Sequence, residues 1–179
     1  MEDMNLLRSI PGGLRLAAWL ALGWMYVTPV SAETLESIKQ SVRKRFPSVR
    51  QITNGELAAW LSDSGRVPPL LVDVRETNEF VVSHLRGALN LSSLSSIQAA
   101  RPLDNRPVVV YCSVGYRSSA LAEKLQRAGL TNVVNLEGSI FAWANEGRPL
   151  YRGTNEVREV HGYSSKWRQL LHTEVPVKL

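Results

Sequence analysis

Cys112 is the only cysteine among 179 residues, and it stands at the end of an apolar run with a glycine and an arginine close behind it. The stretch reads VVVYCSVGYRSSALAEKL from position 108. A thiol is a strong nucleophile only as its thiolate. A free cysteine near pKa ~8.5 falls to roughly 3.5–7.5 where cations or a helix N-terminus surround it. In CSVGYR, Gly115 permits a backbone conformation that other residues resist. The loop can then curl around the sulfur with successive N–H groups pointing inward. The helix N-terminus behind it adds to that field, and Arg117 supplies a fixed charge with fork geometry. No histidine in the loop stands ready as an activating base, and this chemistry needs none. A lone cysteine at a strand end is otherwise a small core residue; here its neighbours argue for a reactive thiol.

Such a loop needs a strand before it and a helix after it. The run 107–111 is β-branched and aromatic, as a buried strand should be. Leu121, Leu125 and Ala128 recur at helical spacing, with Ser118 and Ser119 placed to cap the first turn. Cys112 then leaves the carboxyl end of a strand, where open α/β sheets bind their ligands. The pattern extends along the chain. Apolar runs at 49–53, 70–74, 88–91, 108–112 and 133–136 alternate with helical candidates at 55–61, 77–82, 94–99, 118–128 and 140–145. The runs are near-continuously apolar, which predicts an α/β fold: a five-stranded, mostly parallel sheet with helices on both faces. An amphipathic helix over 33–46 precedes it, with Leu35, Ile38, Val42 and Phe46 on one face and Pro47 as its stop. The cations Arg43, Lys44 and Arg45 suit its last turn. Residues 151–179 read as a polar tail with aromatic patches at Tyr163 and Trp167, folding back onto the domain.

The chain carries 21 Lys and Arg against 16 Asp and Glu, a net charge of +5. The excess is spread thinly, with no basic stripe and no nucleic-acid motif, which argues against nucleic acid as a partner and fits small anions better. Arg8 and Arg15 precede an apolar stretch over 16–27, then Pro29 and the small-residue ending Val30-Ser31-Ala32. That is the layout of a signal peptide over residues 1–32 cut after Ala32, which predicts a periplasmic or secreted protein. The stretch falls short of the ~20 apolar residues a spanning helix wants; the alternative is an uncleaved leader anchoring the protein to the inner membrane. No cysteine lies near the cut, so a lipoprotein is excluded. A solitary thiol cannot form an internal disulfide in an oxidising compartment.

With those residues in view, positions 48–150 resemble a single rhodanese (thiosulfate sulfurtransferase) domain. The resemblance rests on LLVDVRETNEF at 70–80, SHLRGALNL at 83–91, VVVYCSVGYRSS at 108–119 and NVVNLEGSIFAWANEGRPL at 132–150, in that order and spacing. It implies a rhodanese-like fold and a catalytic Cys112 that accepts a sulfane sulfur as a persulfide and hands it on. It further implies a cradle made by the backbone of Ser113, Val114, Gly115, Tyr116, Arg117 and Ser118, contact of Arg117 with the substrate anion, and no cofactor. Two departures lie in scaffold turns. Ser83-His84-Leu85-Arg86-Gly87 replaces a Gly-His-Ile-Pro-Gly-like run, where Arg86 can change the pocket charge, and Ser139 follows Gly138 where the family has paired glycines. Cysteine phosphatases with a similar loop place their arginine one position later, leaving room for phosphate. The tighter loop here suits one extra sulfur atom, and phosphatase or arsenate reductase chemistry is the lesser reading.

Other residues are candidates on type alone. Arg75 can attract an anionic donor, whereas Asp73 reads as a cap or a partner for an arginine. Glu79 reads as a solvated or paired charge, and Tyr116 as a pocket rim or a surface aromatic. Trp60 and Trp143 fall in helical apolar patterns, as core residues do. His84, His161 and His172 lack metal-ligand spacing. The expected function is sulfur transfer from thiosulfate or a similar small anionic donor to cyanide, a thiol or a partner protein. The alternative from another class is a binding module that keeps the fold without the chemistry.

Overall fold

Three central strands, β2 (Leu70–Asp73), β4 (Val108–Tyr111) and β5 (Val133–Leu136), are buried at every position, the signature of a sheet covered on both faces. The computed structural model describes residues 33–100 and 106–179; the expected signal peptide over 1–32 lies outside them. Two short strands, β1 (Gln51–Ile52) and β3 (Leu89–Asn90), complete a five-stranded sheet in the order β1-β5-β4-β2-β3. Every ladder in it is parallel. Residues Val108, Val109, Val110 and Tyr111 have no measurable exposure, so the strand leading to Cys112 is the centre of the core.

The connecting helices are α2 (Asn54–Ser62), α3 (Thr77–Phe80), α4 (Leu94–Ala100), α5 (Tyr116–Arg127) and α6 (Ser139–Asn145). α5 packs on β4 and β5, closing the unit around the cysteine loop. The first helix, α1 (Leu35–Arg45), starts later than expected because Thr34 caps it, its hydroxyl accepting from the Ser37 N–H at 3.1 Å. Ile38, Val42 and Phe46 on its apolar face are buried, and Arg43 near its end pairs with Glu137.

Ser118 and Ser119 do not cap α5. Gly115 at φ +105° turns the chain into the helix before them, and both serines lie buried inside it. The tail is more structured than expected. It forms a hairpin of β6 (Leu150–Arg152) and β7 (Asn155–Val157), a parallel pair of β8 (Val160–His161) and β9 (Val177–Lys178), and a 3₁₀ turn over Trp167–Leu170. Reciprocal backbone bonds of 2.8 Å between His84 and Tyr151 tie it to the domain. Asn145 on α6 binds it again, through the Leu170 carbonyl and the His172 N–H, both at 2.8 Å. Among the described residues no helix is long and apolar enough to cross a membrane.

Candidate active site

β4 delivers Cys112 to the carboxyl edge of the sheet with 1% of its surface exposed. Its backbone is pinned by the segment after β5. The Cys112 N–H donates to Ser139 Oγ at 3.1 Å, and its carbonyl accepts from the Ile140 N–H at 3.2 Å. The Ser113 carbonyl accepts from the Phe141 N–H at 3.0 Å. Ser139 stands in the left-handed region at φ 52°, a conformation suited to the glycine it replaces. Its hydroxyl compensates by joining Cys112 to the Leu136 carbonyl, to which it donates at 3.1 Å. Gly138 beside it cannot vary as freely, since a Cβ there would meet Ala142 Cβ at 2.6 Å.

The loop then closes on the sulfur. The Gly115 N–H donates to Cys112 Sγ at 3.2 Å, and the first-turn N–H groups of Tyr116, Arg117 and Ser118 have no intrahelical acceptor. The Ser118 hydroxyl is fully buried and has no other hydrogen-bond partner among the described residues, and its effect falls on the thiol. Burial pushes the Cys112 thiol up. The Ser118 hydroxyl, the Arg117 charge and the Ser118 and Gly115 N–H groups outweigh burial, and the thiol is held below its ordinary value.

Arg117 is not a free fork. Its Nη1 donates to Glu79 Oε2 at 2.8 Å and its Nη2 to Glu79 Oε1 at 2.9 Å and Ser113 Oγ at 3.1 Å. The Ser113 hydroxyl donates to Glu79 Oε1 at 3.0 Å. Glu79, only 2% exposed, feels burial pushing its carboxyl up, yet the Arg117 contact outweighs this and holds it below the usual carboxylate range. The same contact overcomes desolvation of Arg117 and raises its pKa. A planar guanidinium in two parallel bonds to a carboxylate is the strong form of such a pair. The spacing of Glu79 on α3, 38 residues before its partner, carries no signal in sequence.

Above the sulfur opens a cavity of about 380 Å³. The loop contributes Cys112, Ser113, Val114, Tyr116 and Arg117; α1 contributes Ile38 and Ser41; the tail contributes Tyr163 and Trp167. Tyr163 lies over the Arg117 guanidinium, 5.0 Å from ring centroid to carbon, and meets Trp167 edge-on at 5.8 Å. Tyr116 rims the cavity at 48% exposure and meets Phe46 edge-on at 5.2 Å. The walls from α1 and the tail were missed in the sequence, where Tyr163 and Trp167 read only as surface patches.

Arg75 corrects an expectation: it takes no part in the cavity. Burial of the Asp73 carboxylate demands a cation, and Arg75 supplies it. Its Nε donates to Asp73 at 2.9 and 3.0 Å, and its Nη2 to Asp73 Oδ2 and the Ser83 carbonyl, both at 2.6 Å. Asp73 is thus an arginine partner, not a helix cap. Arg86 leans over the Tyr151 ring at 5.5 Å and does not line the cavity. His84 stacks on Phe80 at 4.2 Å and His161 accepts the Tyr163 N–H at 3.0 Å. Among the described residues no cluster of His, Cys, Asp and Glu could hold a metal ion. Trp143 is buried, donating to the Pro149 carbonyl at 2.9 Å, while Trp60 is half-buried under Arg66.

A family model for the rhodanese-like domain matches residues 53–146, just over half the chain. The chain belongs to the rhodanese family. A sulfurtransferase of Allochromatium vinosum is 36% identical over 103 residues, covering 57% of this chain and 94% of that protein. A probable adenylyltransferase/sulfurtransferase, MoeZ, of Mycobacterium tuberculosis is 38% identical over 101 residues, 55% of this chain but only 25% of its own length. This rhodanese domain thus spans a quarter of that larger relative. In structure, the fold matches thiosulfate sulfurtransferase of Pseudomonas aeruginosa with a TM-score of 0.55 at 22% identity, over 66% of this chain and 23% of that one. Ile38, Tyr163 and Trp167 all lie outside the stretch that the rhodanese model matches.

Proposed function

We propose that this rhodanese domain is a sulfurtransferase in which Cys112 carries sulfane sulfur as a persulfide. The observation that carries the reading is the lone thiol facing the Gly115 N–H at 3.2 Å and the otherwise unpartnered Ser118 hydroxyl, in a family whose named relatives include sulfurtransferases. The Cys112 thiolate attacks the outer sulfur of thiosulfate or a similar donor. For thiosulfate, the new Cys–S–S bond forms as the old S–S bond breaks, and sulfite leaves with the electron pair. The loop amides take up the negative charge of the outer sulfur. Cyanide, a thiol or a partner protein then removes that sulfur and restores the thiolate. Two displacements through a covalent intermediate imply ping-pong kinetics.

Intact mass after exposure to thiosulfate or an organic persulfide should rise by one sulfur atom, and Cys112→Ala should show no rise. Absence of sulfur uptake from every donor removes the proposal, as does hydrolysis of a phosphate ester without any uptake. Export through a leader over residues 1–32 belongs to the same reading, with small donors and thiol acceptors met outside the cytoplasm; Edman sequencing of the mature protein should begin at Glu33.

A further inference from the structure

The aromatic ring that covers Arg117 hangs on a histidine. Tyr163 takes φ 64°, a conformation rare for a bulky side chain, and strain of that kind persists only where the surroundings over-determine it. Here the Tyr163 N–H donates to His161 Nδ1 at 3.0 Å. Gly162 between them is wedged in place. Its N–H donates to the Lys178 carbonyl at 2.7 Å, and a Cβ on it would meet Val177 Cγ1 at 2.6 Å and Arg168 Cβ at 3.1 Å. The turn sets the Tyr163 ring over the Arg117 guanidinium, 5.0 Å from ring centroid to carbon.

A backbone N–H can only donate, so His161 Nδ1 must offer it a lone pair. The buried ring is thereby held neutral, with its proton on Nε2. A proton on Nδ1 would set donor against donor, and the bond would be lost. Histidine is the side chain that ordinarily changes charge between about pH 5 and 8. The strand β8 that carries His161 pairs with β9 and packs on α3. Those neighbours bring Lys178, paired with Glu159, and Glu79, paired with Arg117; Arg168 reaches the turn at Gly162. His84 also accepts a backbone N–H, from Gly153 at 3.2 Å, but that bond serves the hairpin.

We infer that His161 is a positioning residue for the Cys112 thiolate: its neutral ring seats Tyr163, and Tyr163 keeps water from Arg117, whose charge then acts on the sulfur with less screening. A proton on Nδ1 releases the aromatic ring, admits water to the guanidinium and weakens its hold on the thiolate. His161 itself touches no reacting atom. The inference concerns the thiol, so alkylation tests it whether or not sulfur is transferred; its consequence for turnover rests on the sulfurtransferase reading above.

His161→Asn keeps an acceptor for the N–H two residues on, as asparagine does in turns, but takes up no proton. It also leaves Glu79, Glu159, Lys178, Arg168 and His84 in place. Iodoacetamide alkylation of Cys112 is followed against pH, each rate divided by its alkaline plateau to remove differences in access. The two proteins should coincide at about pH 8, where histidine is neutral. At about pH 5.5 the wild-type value should lie roughly twofold to tenfold below that of His161→Asn, the span that one hydrogen bond is worth. His161→Leu lacks the acceptor at every pH, and its whole profile should move to higher pH. Tyr163→Gly suits the backbone at that φ; it should move as far, and adding His161→Asn to it should change nothing. Superimposable profiles of wild type and His161→Asn from pH 5 to 8 overturn the inference, as does a wild-type profile in His161→Leu. Failure of thiosulfate or an organic persulfide to load Cys112 overturns the sulfurtransferase reading alone, and the alkylation profiles still decide the role of His161.

Discussion

Replacing Gly115 by alanine tests the loop at the point where backbone shape and sulfur chemistry meet. Its φ of +105° lies outside the left-handed well that side chains tolerate. A Cβ there would meet Asn135 Nδ2 at 3.2 Å, with the Leu136 carbonyl and Ser139 Oγ at 3.7 Å. Asn135 has little freedom to yield, because that nitrogen donates to Gln51 Oε1 at 2.6 Å and to the Leu136 carbonyl at 3.1 Å. Strain of this type costs about 1–3 kcal/mol. For a chain of this size each kcal/mol shifts Tm by about 2–4 °C, so the loss should be about 2–12 °C. Relieving the strain rotates the Gly115 N–H away from Cys112 Sγ, now 3.2 Å distant. A hydrogen bond to a charged group is worth about 1.5–3 kcal/mol, and ~1.4 kcal/mol is one pKa unit. The thiol pKa should therefore rise by roughly 1–2 units. A thermal melt reads the first effect, and the pH dependence of iodoacetamide alkylation reads the second, cleanly because Cys112 is the only cysteine. At pH values below both midpoints the alkylation rate should drop about tenfold per unit. A variant that melts lower but keeps the wild-type alkylation midpoint would show that this amide does not hold the thiolate. One that keeps both would refute the account of the loop.

Two further substitutions probe the buried charges. Asp73→Asn leaves the Arg75 guanidinium, with no exposed side-chain surface, without its counter-ion; urea denaturation should show a loss of about 3–5 kcal/mol, and near-wild-type stability would contradict the pairing. Glu79→Gln should cost less, about 2–3 kcal/mol, because the Arg117 side chain is 32% exposed. The pH course should also change. Glu79 has its folded pKa lowered, so its contribution is present above the unfolded value of ~4.3 and fades as pH falls through the folded one. Wild-type stability should decline over that acid window more steeply than that of Glu79→Gln, and parallel curves would count against the pair.

The sheet was legible because burial on both faces leaves a mark in composition. Val108 to Tyr111 could hardly be anything but a central strand, and β5 has the bounds its apolar run predicts. Errors at the ends have local causes. The strand expected over 49–53 shrank to Gln51–Ile52 because Thr53 turns to cap α2, its hydroxyl accepting from the Glu56 N–H at 3.1 Å. The cysteine loop was legible for the same reason: Gly115 and the helix after it are neighbours of Cys112 in sequence as well as in space.

Arg75 and Arg117 show where such reading stops. Both follow a strand's end and both look like anion hooks, yet each is held by a carboxylate. For Arg75 the partner is two residues away and its pairing could be weighed from the sequence; for Arg117 it is Glu79, on another helix, and could not. Residue type therefore reports that a cation is present, but only the fold reports whether its charge is available. The same holds for Tyr163 and Trp167. Nothing in a polar tail distinguishes an aromatic that covers a surface from one that walls a cavity. The difference is made by the His84–Tyr151 backbone pair and by Asn145, which return the tail to the domain. Domains that share the Cys112 loop but differ in these flanking segments should then share the loop's geometry and differ in the walls of the cavity above it, because Ile38, Tyr163 and Trp167 all come from the flanks.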